Sequence, residues 1–276
     1  MTGAWFRRLT GVWRWPGRST QAGRWRTYGR RFVFFALLIV AWEGLFRLGV
    51  WPEFLFPSPS QVTATLVHGF ANRTFLVGIA ISLRRIALGY GFSLLVGTVL
   101  GLLLGQVRLL DETIGSLVLG LQTLPSICWL PLALLWFGLN ERAILFVVVM
   151  GALLSITLAT EDGVKNTPPV YLHAARNLGA SGWKLYAGVI LPAALPSIVT
   201  GMKLGWSFAW RSLMAGELLY VSLGLGHLLM MGRELNDMSQ VIAVMLVIIA
   251  IGLTMDRMVF APLESRIRER WGLVSS

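Results

Sequence analysis

The chain has 276 residues, of which 55% are hydrophobic and only 13% charged, with a mean hydropathy of +0.69. A soluble domain carries about 25% charged residues, so a water-facing surface of ordinary composition is excluded and lipid is the natural solvent for the surplus. The net charge of +11 does not point to nucleic acid, because eight arginines lie in residues 1–31 without an acid among them, directly before an apolar run. That is the flank of a membrane anchor touching anionic lipid.

A spanning helix needs about 20 mostly apolar residues. Six segments meet that length approximately: residues 32–50, 86–107, 113–137, 143–160, 195–219 and 241–262. The expected fold is therefore all-α and polytopic. The first segment is too long for a signal-peptide core, carries Glu43 and Arg47 at helical ion-pair spacing, and reads as an uncleaved span. With the N-terminus inside, sixteen of the 24 Lys and Arg fall on the cytoplasmic side and five outside, with three inside spans. That places both termini in the cytoplasm. Arg84 and Arg85, on the outer side, fit an extension of the second helix packed against protein.

Pro57-Ser58-Pro59-Ser60 breaks the chain after the first span, and Ser60 can cap an amphipathic stretch over 61–70. In the third span Pro125 and Pro131 each remove a helical hydrogen bond. They mark either a structural kink or a broken helix lining a cavity together with Ser126 and Trp129. The longest connection, 161–194, reads as two short helices. Thr167-Pro168-Pro169 opens the first and Gly179 ends it, while Ser181 caps a second that Pro192 stops before span five.

In span five, at about 100° per residue, Lys203, Ser207, Trp210, Arg211, Met214 and Glu217 share an arc of about 120°. Charges inside a bilayer face protein or a water-filled cavity, so this arc is the expected pathway lining. Arg211 sits near mid-membrane, where it can attract an anion, form an internal ion pair or touch a gate. Lys203 lies near the cytoplasmic end and snorkels. Ser222-Leu223-Gly224-Leu225-Gly226 opens the outer segment before span six; it resembles the re-entrant Gly-Leu-Gly element of transport permeases, with an ordinary turn as the alternative.

The single cysteine, Cys128, excludes an internal disulfide. No phosphate-binding Gly-x-x-x-x-Gly-Lys-Ser/Thr loop occurs. His68, His173 and His227 lack metal-ligand spacing, and no catalytic constellation is visible. The chain is expected to be no enzyme and to hold no cofactor or metal itself.

Four separated motifs carry a family resemblance. His173-Ala174-Ala175-Arg176-Asn177-Leu178-Gly179-Ala180, closed by Ile190-Leu191-Pro192, resembles the Glu-Ala-Ala loop of ABC importer permeases, with His173 in place of the usual Glu. Phe56-Pro57-Ser58-Pro59-Ser60, Leu124-Pro125-Ser126-Ile127-Cys128-Trp129-Leu130-Pro131, and Leu191-Pro192-Ala193-Ala194-Leu195-Pro196 with Thr200-Gly201-Met202 resemble the nitrate/sulfonate/taurine/bicarbonate branch of these binding-protein-dependent inner-membrane components. The resemblance implies the type I ABC importer transmembrane fold. The resemblance runs from about Phe54 to the C-terminus; with the charge and hydropathy pattern it gives a basic cytoplasmic arm (1–31), a first span with outer connector (32–85), a permease core (86–262) holding the coupling loop 161–194, and a cytoplasmic tail (263–276).

It further implies that His173, Ala174, Ala175, Arg176, Gly179, Ala180, Ile190 and Pro192 couple to an ATPase that carries ATP and magnesium. Two such ATPases, a second permease copy as a homodimer, and a periplasmic or lipid-anchored solute-binding protein are the implied partners, in a bacterial cytoplasmic membrane. Glu217, near the outer end of span five, resembles a family-typical acid, with a structural role as the alternative to lining the pathway. The competing readings are a self-sufficient secondary transporter or channel, which calls for inverted repeats and midplane acids, and a membrane-embedded enzyme.

Overall fold

The structure, a computed structural model, describes residues 21–219 and 223–271; the arginines expected in the arm before residue 21 and Ser222 lie outside it. Among the described residues every regular element is helical. Ten helices are distinguished: α1 (Gln21–Arg47), α2 (Pro59–Ala71), α3 (Thr74–Leu104), α4 (Arg108–Gln122), α5 (Ser126–Phe137), α6 (Glu141–Lys165), α7 (Pro169–Asn177), α8 (Gly182–Leu219), α9 (Leu225–Glu234) and α10 (Met238–Arg270). The chain divides into two compact units, residues 1–59 and 60–276.

In the first unit, α1 carries the predicted first span. Phe32, Val33, Phe34, Phe35, Leu37 and Leu38 are all more than half exposed, as suits a helix bathed in lipid. The expected Glu43–Arg47 pair forms at 2.8 Å. Trp42 Nε1 donates to the Pro57 carbonyl at 3.0 Å and holds the Pro-Ser-Pro turn beneath the helix end.

In the second unit α3, α6, α8 and α10 are long and apolar enough to cross a bilayer, and α4 with α5 forms a bent pair. The expectation of about six spans corresponds to α1, whose apolar stretch is flanked by Arg30, Arg31 and Arg47 and holds Glu43, together with these four long apolar helices and the one broken pair. Burial identifies the centre. In α6, 61% of the apolar window is buried, against 17% in α10. The hydrophobic effect does not drive helices together inside lipid, so close packing of small residues must. A Cβ on Gly101 of α3 would stand 2.4 Å from the Thr157 carbonyl oxygen of α6, and one on Gly201 of α8 would stand 2.4 Å from Ala159 Cβ. Glycine therefore lets α3 and α8 approach α6 at backbone distance, with Val147, Val148 and Ile156 fully buried between them.

Three boundaries differ from expectation. The span predicted over 113–137 is broken by 103° between Gln122 and Ser126. Pro125, extended at φ −54° and ψ 133°, ends one half, whereas Pro131 lies in the opening turns of the other, where a missing N–H costs least. Pro192 does not stop a helix. A π-turn over Tyr186–Ile190 sends the Leu191 N–H back to the Tyr186 carbonyl, and the shifted register lets α8 run unbroken from Gly182 to Leu219. The last span likewise continues through a π-turn (Asp256–Phe260) to Arg270, absorbing residues expected in the tail. Arg85 and Ser82 are buried on the N-terminal part of α3, which starts at Thr74, while Arg84 is exposed.

Candidate functional site: a docking loop and a cavity along α8

The connection between α6 and α8 folds as a stiff hairpin. Pro168 and Pro169 preset the first turn of α7. At the other end the Ala180 N–H bonds the Ala175 carbonyl and the Gly179 N–H bonds the Arg176 carbonyl, both at 2.9 Å. With Gly179 at φ 84°, this is a Schellman stop, which a side chain would strain. The hairpin presents His173, Ala174, Arg176 and Gly179 outward, with Ala180 half-buried. It also exposes Val170 (70%), Leu178 (88%) and Trp183 (76%), apolar residues in a polar loop that sequence reasoning passed over. Three residues expected on the docking face are elsewhere. Ala175 is buried beneath α7, Ile190 packs on Val164, Ala194 and Ile198, and Pro192 is half-buried. Within this chain, Ala175 and Ile190 pack toward the core beneath the hairpin.

A cavity of about 250 Å³ opens where the α4–α5 bend faces α6 and α8. The expected Pro125, Ser126, Trp129 and Arg211 line it together, joined by Gln122, Thr123 and Phe208. Gln122 was not anticipated; its signal was an amide three residues before a proline in an apolar run. Its Nε2 donates to Ser155 Oγ of α6 at 2.9 Å. Arg211 is exposed, its Nε bonds the Ser207 carbonyl at 3.0 Å, and its guanidinium lies 4.8 Å from the Phe208 ring centre. No carboxylate pairs with Arg211 among the described residues, so the internal ion pair left open above is not made. The site thus offers one uncompensated cation beside aromatic and hydroxyl groups.

Residues 93–268 match the family described as binding-protein-dependent transport system inner membrane component. The chain belongs to that family. Among relatives of this permease is a chain of Methanocaldococcus jannaschii that carries the name of an ABC transporter permease, 35% identical, with 80% of this chain and 85% of that one aligned. The taurine transport system permease of Escherichia coli is 28% identical over 88% of each chain. The nitrate import permease of a Synechocystis strain is 29% identical over 86% of this chain and 88% of its own. A solved structure of the MetNI methionine ABC transporter in inward-facing conformations superposes with a TM-score of 0.56 at 18% identity, covering 69% of this chain and 96% of that one, which shows the shared fold. The chain is thus a multi-pass inner-membrane transport component, not an enzyme.

Within the permease the other half of the expected α8 stripe has a different use. Trp210 is buried and stacks on Trp206, with ring centres 6.2 Å apart. Lys203 pairs with Asp256 of α10 at 2.9 Å, and Met214 is half-buried. Ser207 bonds back to the Lys203 carbonyl at 3.1 Å. Glu217 is fully buried, so it does not line the pathway. Its carboxylate accepts from Ser82 Oγ at 2.8 Å, Arg85 Nη1 at 2.9 Å and the Gly226 N–H at 2.9 Å, while Ser82 Oγ accepts from the Leu225 N–H at 2.9 Å. Gly224-Leu225-Gly226 is thereby clamped against α3 and α8, and a Cβ on Gly226 would fall 2.5 Å from Glu217 Cβ. The open face of α8 follows Thr200, Leu204 and Arg211; relative to the expected arc it is rotated by about 60° away from α10.

Proposed function

We propose that this permease forms the translocation pathway of an ATP-driven importer for small anionic solutes. The α7 hairpin docks an ATPase that carries ATP and magnesium, and a solute-binding protein delivers cargo from the opposite face. The observation that carries this reading is the exposed apolar set on a braced hairpin. Burying a side chain such as Leu178 or Trp183 is worth about 1.5–3 kcal/mol, which a loop ending in water would forgo. His173 offers a hydrogen bond or a proton where the resembled loop has a carboxylate. The distribution of Lys and Arg supports a hairpin and both termini in the cytoplasm, and the basic arm suits anionic lipid there.

Two copies, as a homodimer with two ATPases, would complete the pathway of a bacterial cytoplasmic-membrane complex, as in the resembled importers. Arg211 supports an anionic cargo, since a lone cation at a low-dielectric wall attracts charge of opposite sign; the taurine and nitrate permeases among its relatives accord with that class. Isolation of the tagged chain from membranes tests the reading. An ATPase is expected to co-isolate and to be lost, with uptake, in Gly179→Trp. A wild-type chain that isolates without an ATPase, or normal ATP-driven uptake by Gly179→Trp, refutes it.

A further inference from the structure

Asp111 is the first residue of the π-turn Asp111–Gly115 in α4. Its Oδ1 lies 2.6 Å from Nζ of Lys165, the last residue of α6, and the same ammonium reaches Glu161 Oε1 at 2.7 Å. Gly115 leaves the space this needs, since a Cβ there would stand 3.0 Å from Asp111 Oδ1. Lys165 is four residues before Pro169, where the docking helix α7 begins. From Asp111, α4 runs to Gln122 and the bend that walls the Arg211 cavity. One ion pair therefore joins the root of the hairpin to the far wall of the pathway.

The construction occurs twice. Asp256 is the first residue of the π-turn Asp256–Phe260 in α10, and Lys203 of α8 holds it at 2.9 Å. A third π-turn, Tyr186–Ile190, follows the hairpin within α8. The glycine-packed α3 and α6 contain no π-turn. A π-turn holds one residue more than an α-turn. Passing that residue along a helix shifts the crossed stretch by about 1.5 Å and about 100°. The Lys165 side chain is 42% exposed and that of Asp111 30%. Pairs so open to solvent are weak enough to part and re-form.

We propose that the Lys165–Asp111 pair is a relay of the transport cycle, carrying displacement of the α7 hairpin to the α4–α5 bend and parting in one state of that cycle. Lys165 is thus a positioning residue, acting through α4 on the cavity; the inference rests on the ATP-driven reading above.

Cys128 provides a readout that needs no knowledge of the solute. It is the only cysteine of the chain, is exposed, and sits between the cavity residues Ser126 and Trp129. Its labelling by a fluorescent maleimide is measured on the isolated permease–ATPase assembly, nucleotide-free and trapped with ATP and vanadate. In wild type the rate is expected to change by about threefold or more between the two states, as a shift in populations does. Lys165→Met and Asp111→Asn are expected to abolish that change while ATP hydrolysis and co-isolation persist, and Lys165→Arg to retain it. Asp111→Asn keeps the side-chain shape and guards against loss through misfolding. A wild-type change surviving in both variants overturns the relay, as does a wild-type rate indifferent to nucleotide. Loss of the ATPase from Asp111→Asn assigns the pair to docking and also overturns it. Failure of the unmutated chain to hold an ATPase sinks the importer reading itself, and is told apart because it precedes any variant.

Discussion

Arg85 and Glu217 stand 132 positions apart in the chain and meet at 2.9 Å, with the Glu217 side chain wholly buried and that of Arg85 4% exposed. Arg85 Nη1 also bonds the Leu223 carbonyl and Nη2 reaches Glu141, so α3, α6, α8 and the segment before α9 share one polar centre. A charge buried this deeply persists only when its partners are complete.

Removing one partner should therefore cost more than removing both. Glu217→Ala leaves Arg85 without its buried carboxylate and is expected to destabilise the permease by about 3–5 kcal/mol. The paired change Arg85→Met with Glu217→Met should recover much of that loss. Thermal unfolding in detergent measures both, and equal melting temperatures for the single and paired variants would contradict the clamp.

Two glycines of α3 make a contrasting pair for the same assay. Gly101→Ala drives a methyl to 2.4 Å from the Thr157 carbonyl oxygen, a backbone atom that cannot swing aside. Overpacking of this kind costs about 1–3 kcal/mol. Gly91→Ala meets nothing within 4 Å and is expected to leave the melting temperature level or slightly higher.

At the hairpin, Gly179 has no neighbour within 4 Å of its Cβ position, so only its backbone angle constrains it. Asparagine tolerates the left-handed region far better than a β-branched residue. Gly179→Asn should keep the ATPase in pull-down, whereas Gly179→Val, strained by about 1–2 kcal/mol, should release it.

Arg211 is tested by charge. Arg211→Ala is expected to lower uptake of solutes with an anionic group, such as nitrate or a sulfonate, by about tenfold, the equivalent of about 1.4 kcal/mol, and Arg211→Lys to keep part of it. Uptake into vesicles containing the reconstituted assembly measures this. Undiminished anion uptake by the alanine variant would make Arg211 scaffold.

Much of this protein was legible without coordinates because the deciding forces act over a few residues. Apolar runs located α3, α6, α8 and α10. Pro168, Pro169 and Gly179 delimited α7 through turn chemistry confined to their own neighbours. Glu43 and Arg47 were paired correctly because a helix brings i and i+4 together whatever surrounds it. The family resemblance stood on motifs of the same short range.

Tertiary structure decided what depends on distant partners. Pro125 and Pro131 look alike in sequence, yet Pro125 stands extended in the 103° break between the half-helices and Pro131 sits in the first turns of the second, where its missing N–H costs least. Pro192 lies within α8 because a π-turn ahead of it re-registers the bonds. Glu217 and Arg211 occupy one predicted arc of one helix, yet the first is sealed in protein and the second opens on a cavity. Periodicity places residues on a helix face, but which part of that face is buried depends on where neighbouring helices pack. For Glu217 those neighbours bring Ser82, Arg85 and Gly226, and no local pattern reaches across 132 positions to show that a buried charge will find its partners.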